Sequence, residues 1–251
     1  MKNRIYVFLL TLILSIFSVS NIALAASYDQ VISRWTKEQY FSNEYGNNLT
    51  ITCTYYSAEF IEAYIQSEAQ KSLWTQNETE DYKYNFLQAL QLNDMIPIHI
   101  KFLNNGPSMH LGPFDIMVKL RIGNKLYKAV DYDKRFNFKF QGEMEGLVYF
   151  PRYDEATGKD LLKGVKTVRL EFNSAVSSIL DNKQPYFIWT VADDDPSKLY
   201  QGKSAARFET DRLLKRLDKL RKDKAEHEKQ LQGINEEIST VQKRLDELAK
   251  Q

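Results

Sequence analysis

One cysteine in 251 residues, Cys53, rules out an internal disulfide, so packing alone has to hold the fold. Three histidines, His99, His110 and His227, are too few and too scattered to build a zinc site. The chain has no glycine-rich phosphate cradle, no dinucleotide fingerprint and no Gly-x-Ser-x-Gly nucleophile elbow. It also lacks an excess of either charge. Lys and Arg number 34 against 33 Asp and Glu, a net of +1, which gives no global pull toward nucleic acid or anionic lipid. Nucleic-acid binding is excluded on that ground, and no cofactor is expected.

Long apolar runs are missing too, except at the start. Met-Lys-Asn-Arg is followed by Ile5 to Phe17, broken only by Thr11 and Ser15, and then by a small-residue stretch ending Ala23-Leu24-Ala25-Ala26. A basic start, a short greasy centre and a small-x-small end predict a secretory signal peptide over 1–26, cleaved after Ala25 or Ala26. Thirteen residues fall short of the roughly 20 that span a bilayer. The expected location is periplasmic or extracellular, with no transmembrane span after cleavage. In an exported chain a lone cysteine is notable. Cys53 shares a strand face with Ile51 and Tyr55, which predicts a buried small hydrophobe rather than a nucleophile.

The composition changes near residue 200. From Ser204 to Gln251, twelve residues are basic and ten acidic, so 22 of 48 are charged, and Phe208 is the only aromatic. No proline follows Pro196. Leu213, Leu217, Leu220, Leu231, Ile234, Ile238, Val241, Leu245 and Leu248 recur at alternating steps of four and three, the signature of a coiled-coil seam. With Leu217 at position a, Lys224 (a) and His227 (d) form two adjacent polar layers, which fix register or mark a bend where the helix folds back. In a parallel homodimer Arg216 would face Arg221, and Asp223 would face Glu228. Both pairs repel, so the expected partner is an antiparallel copy, a higher oligomer or another protein. His227 also offers a titratable group in the seam.

Between leader and helix the pattern is mostly two-residue. Residues 28–40 predict a short amphipathic helix, and Ser57 caps a second one through about Trp74. Tyr82 to Leu92 alternates and reads as a strand. Ile96 to Phe102 is another, closed by a turn at Asn104-Asn105-Gly106-Pro107. Phe114–Ile122 and Lys125–Val130 flank a Gly123-Asn124 hairpin; Phe136, Phe138 and Phe140 share a strand face; 146–151, 165–172 and 186–191 complete the series. The expected fold is mainly β with helical additions. An antiparallel immunoglobulin-like β-sandwich occupies 82–196, preceded by amphipathic helices in a mixed segment (27–81) and followed by a C-terminal coiled-coil helix (197–251). No Cys-Trp-Cys signature accompanies it.

Chemistry is sparse. Ser108 with His110 is a weak nucleophile–base pair, and acidic groups at 131–133, 154–160 and 193–195 suit calcium only loosely. Trp35, Trp74 and Trp189 are sugar-platform candidates better explained by core packing. Tyr132, Arg135, Arg152 and Tyr153, near strand ends, form the best candidate contact surface. The expected function is that of an exported, non-catalytic binding or structural protein of a bacterial-type cell envelope. The alternatives are a carbohydrate-binding sandwich and a secreted hydrolase.

Overall fold

The computed structural model describes residues 28–201 and 203–249. The expected leader, with Ala25 and Ala26, lies outside the described residues. Those up to Leu199 form one compact unit, and those from Tyr200 onward a second. Among the described residues, no helix is long and apolar enough to cross a membrane.

The first unit opens with a helix over residues 28–35 (α1). It stops there, rather than near residue 40, and the chain extends into β1 (Thr36–Ser42). Trp35 anchors the change of direction. Its ring stacks on Tyr55 at 5.6 Å, and its carbonyl accepts a 2.7 Å hydrogen bond from Nε1 of Trp189. β1 turns back into β2 (Asn48–Tyr55), with the Asn43 carboxamide oxygen accepting from the backbone N–H groups of Tyr45 and Asn47. As expected, Ile51, Cys53 and Tyr55 lie inward, and Cys53 is fully buried.

Ser57 then caps α2 (Ala58–Lys71), its hydroxyl accepting from the Phe60 N–H at 3.0 Å. The next segment corrects the sequence reading. Residues 82–90 form no strand but belong to a helix, α3 (Gln76–Leu90). The cause is a capping box: Thr75 accepts from the Glu78 N–H while the Glu78 carboxylate accepts from the Thr75 N–H at 2.7 Å. Tyr82 and Phe86, read as alternating strand residues, instead stack one helical turn apart at 5.7 Å.

β3 (Met95–His110) is also longer than its hydrophobic alternation implies. Asn104 to Pro107 is not a turn. It is an irregularity within the strand, between the pairs Asn104↔Gly142 and Met109↔Phe140. The buried Asn104 side chain makes this possible, donating to the Pro107 carbonyl at 2.7 Å and accepting from the Gly106 N–H at 3.1 Å. A short helical turn, α4 (Phe114–Met117), precedes β4 (Val118–Ile122). The Gly123-Asn124 hairpin to β5 (Lys125–Lys128) forms as expected, with Gly123 at φ +57.

After β6 (Asp131–Tyr132), residues Lys134–Asn137 wind into a 3-10 turn capped by the Asp133 carboxylate. That breaks the expected phenylalanine row. Phe136 and Phe140 are buried, but Phe138 is 65% exposed. β7 (Lys139–Pro151), β8 (Thr167–Phe172) and β9 (Tyr186–Thr190) follow.

Two antiparallel sheets result, with strand orders β1-β2-β3-β7-β6 and β5-β4-β8-β9. Residues 36–40, read from sequence as the end of a helix, and the stretch around Cys53, read as a strand, thus supply two strands of the larger sheet. The sheets share a core of linked rings. From Tyr55 the chain of contacts passes to Trp189, Phe187 and Phe172, then crosses to Phe102 and reaches Phe136 and Phe114. Phe102 and Phe172 meet edge to face at 6.0 Å, the favoured quadrupole geometry, and tie β3 to β8.

The second unit is one helix, α5 (Lys203–Leu248), 46 residues without interruption and so about 69 Å long. The alternative of a bend at Lys224 and His227 is therefore excluded.

Candidate interaction surface

Nothing in α5 breaks a helix. It has no proline, and its single glycine, Gly233, faces open space. Straight-chain charged residues and leucine favour the state, and ion pairs along the axis (Lys224–Glu228 at 3.5 Å, Arg244–Glu247 at 2.8 Å) add small increments. Such a helix is marginal alone and takes most of its stability from burying an apolar face.

Within the second unit nothing covers that face. Leu213, Leu217, Leu220, Leu231, Ile234, Ile238, Val241, Leu245 and Leu248 each remain between 42% and 60% exposed. Scattered exposed leucines are ordinary; nine in one stripe at 3–4 spacing form an apolar seam, interrupted only at Lys224 and His227, which marks an association surface. Lys224 and His227 are also exposed near the helix midpoint. Lys224 points its ammonium to Glu228, and His227 Nδ1 lies 3.4 Å from the Gln230 side-chain oxygen.

The four contact candidates of the first unit fall into two pairs along β7. Tyr132 pairs with Val148, packs its ring against Phe114 at 5.2 Å and carries the Lys134 ammonium over it at 4.1 Å. Arg135 forks onto the Asp133 carboxylate at 2.6–3.0 Å and donates to the Glu145 carbonyl. Arg152 and Tyr153 lie past the end of β7, about 13 Å further along by strand rise. Arg152 is nearly covered and ion-paired to Asp160 at 3.0 Å, while Tyr153 bridges to the Asp160 backbone. These arginines brace loops.

The acidic groups have local duties as well. Asp131 pairs with Lys134, Asp154 caps the turn at Thr157, and Asp195 caps Ser197. Asp194 accepts from the Ala58 N–H at 2.8 Å and from the Tyr55 hydroxyl at 3.2 Å, locking the start of α2 to the segment after β9. Burial raises its carboxyl above the ordinary range despite those two donors. Among the described residues no group of three or more His, Cys, Asp or Glu side chains is arranged to hold a metal ion. Ser108 and His110 are both exposed on β3, two residues and about 6.6 Å apart along the strand.

Trp35 and Trp189 are core residues, as expected, at 7% and 2% exposure. Trp74 is half-buried, its ring 4.6 Å from Tyr82. It borders a groove of about 840 Å³ between the end of α2 and the start of α3, lined also by Gln66, Gln70, Gln76, Thr79 and Glu80. Glu80 Oε2 is buried there with no hydrogen-bond partner. Sequence reasoning missed this groove because it read α3 as a strand; the Thr75-x-x-Glu78 capping signature was the available clue.

Comparison with protein-family models, with curated proteins and with solved structures finds no match to this chain.

Proposed function

We propose that this chain is an exported, non-catalytic binding or structural protein of the bacterial cell envelope, periplasmic or extracellular, whose C-terminal helix is its assembly element. The observation that carries this reading is the half-exposed apolar seam of α5 on an otherwise highly charged rod. The basic, greasy, small-residue N-terminus supports export. In this reading the two sheets form a sandwich of the immunoglobulin-like kind. The ring contacts that cross from β3 to β8 support it, and loop ends around β7 supply the recognition surface. Non-catalytic action is favoured because Cys53 is buried and Asp194 is tied to structural partners, while Ser108 and His110 stand on an exposed strand about 6.6 Å apart along its axis.

The test is sedimentation of the full chain against a Leu231→Asp/Ile238→Asp variant. Two charges placed in the seam are expected to abolish association while leaving the circular dichroism of the sheets unchanged. An unchanged sedimentation profile of an associating protein would overturn the reading.

A carbohydrate-binding role has one specific observation in its favour, the groove that combines Trp74 with three glutamines and an unpaired Glu80 oxygen. With Trp35 and Trp189 buried, fluorescence quenching by neutral oligosaccharides would report on Trp74, and absence of any change would dispose of that role.

A further inference from the structure

We infer that the occupant of the α5 seam is a second copy of the same helix, running antiparallel and in one register. The inference rests on the assembly reading above and goes further by naming the partner and its alignment. In an antiparallel pair, each a residue lies opposite a d residue of the other helix. Only one alignment puts the two polar layers together, the one in which Lys224 faces His227 of the second copy. The same alignment sets Leu220 against Leu231, Leu217 against Ile234, and Leu213 against Ile238. Sliding by one heptad in one direction sets Lys224 against Ile234 and His227 against Leu231. Sliding the other way sets Lys224 against Leu220 and His227 against Leu217. Either shift forces polar groups into apolar layers.

Charges beside the seam agree. At the e positions, Arg221 and Glu228 of the second copy are offset by two residues, about 3 Å along the axis, and by symmetry this pair occurs twice. At the g positions, Arg216 with Glu237 and Glu209 with Arg244 carry opposite signs by sequence at the same small offset. A parallel pair would instead oppose Arg216 to Arg221, Asp223 to Glu228, and Lys224 to its own copy. Charge complementarity therefore favours the antiparallel pair throughout, whereas the parallel one gains no attractive flanking pair.

Cross-linking of full-length chains decides it. Leu220→Cys and Leu231→Cys are made separately, Cys53 being fully buried. Mixed and mildly oxidised, the two variants are expected to form a cross-linked dimer containing one chain of each. Either variant alone is expected to form none, because its two cysteines lie about 16 Å apart along the axis, far outside disulfide range. Arg221→Glu is expected to weaken dimerisation about fivefold or more, and Arg221→Glu/Glu228→Arg to restore it. Self-cross-linking of Leu220→Cys alone, or a trimeric or larger mass, would overturn the antiparallel dimer and leave the assembly reading standing. A monomer at high concentration would overturn the antiparallel dimer and self-assembly together.

Discussion

Replacing Asp194 tests how the first unit is held shut. Its carboxylate is the acceptor for two shielded donors, the Ala58 N–H at 2.8 Å and the Tyr55 hydroxyl at 3.2 Å, with Tyr55 2% and Ala58 7% exposed. Asp194→Ala leaves both without a partner. Each orphaned donor costs about 1–3 kcal/mol, and removal of a desolvated carboxylate offsets part of that, so a net loss of about 2 kcal/mol is expected. Asp194→Asn keeps an oxygen for Ala58 and stays within about 1 kcal/mol of the parent. The pH dependence has a definite sign. The folded-state carboxyl titrates above its unfolded value of 3.8, so the folded protein binds the extra proton in the interval between them. The parent therefore loses this contribution as pH rises from about 4 through the folded value, and regains it on acidification. Urea denaturation of the parent and both variants at pH 7 and at pH 4.5 measures these differences. An alanine variant as stable as the parent would show that Asp194 does not hold the unit shut, as would an asparagine variant with the parent's pH slope.

Three further perturbations follow from the core and the long strand. Phe102→Ala removes the ring that meets Phe136, Phe140 and Phe172 and should cost about 3–5 kcal/mol in denaturant unfolding. Asn104→Ala leaves the Gly106 N–H without its acceptor and should cost about 1–3 kcal/mol; Asn104→Asp should also destabilise, since it loses the donor to Pro107. Burial lowers the His99 pKa below 6.5, with Glu145, 3.8 Å away, opposing the shift only in part. The unfolded chain then binds the proton first, so stability falls as pH drops below about 6.5, and thermal melts of His99→Gln should lose that dependence.

Where burial alternates residue by residue, the sequence already shows the strand. β8 and β9 alternate between buried and more exposed positions, and β2 carries Ile51, Cys53 and Tyr55 inward as their spacing requires. The segments that escaped are those in which a side chain, rather than the hydrophobic period, decides the backbone. Thr75 and Glu78 convert an alternating aromatic stretch into α3. Asn104 carries β3 through a Gly-Pro pair that would ordinarily end a strand. Asp133 winds Phe136 away from Phe138. The Asp194 clasp was illegible for another reason: it joins Tyr55 to a residue 139 positions later, and no local pattern encodes that pairing. The α5 helix and its apolar stripe were legible because they depend only on local spacing; that the helix runs unbent past Lys224 and His227 was not. Around Tyr132, Arg135, Arg152 and Tyr153, the carboxylates that hold the two arginines, Asp133 and Asp160, are not visible as partners in a linear reading.

The most direct measurement is the mass in solution, by light scattering, of the chain without its expected leader and of the same chain stopped at Leu199, where the first compact unit ends. Twice the single-chain mass is expected for the longer protein and a monomer for the shorter. Single-chain mass for both across the micromolar range would contradict self-assembly through α5.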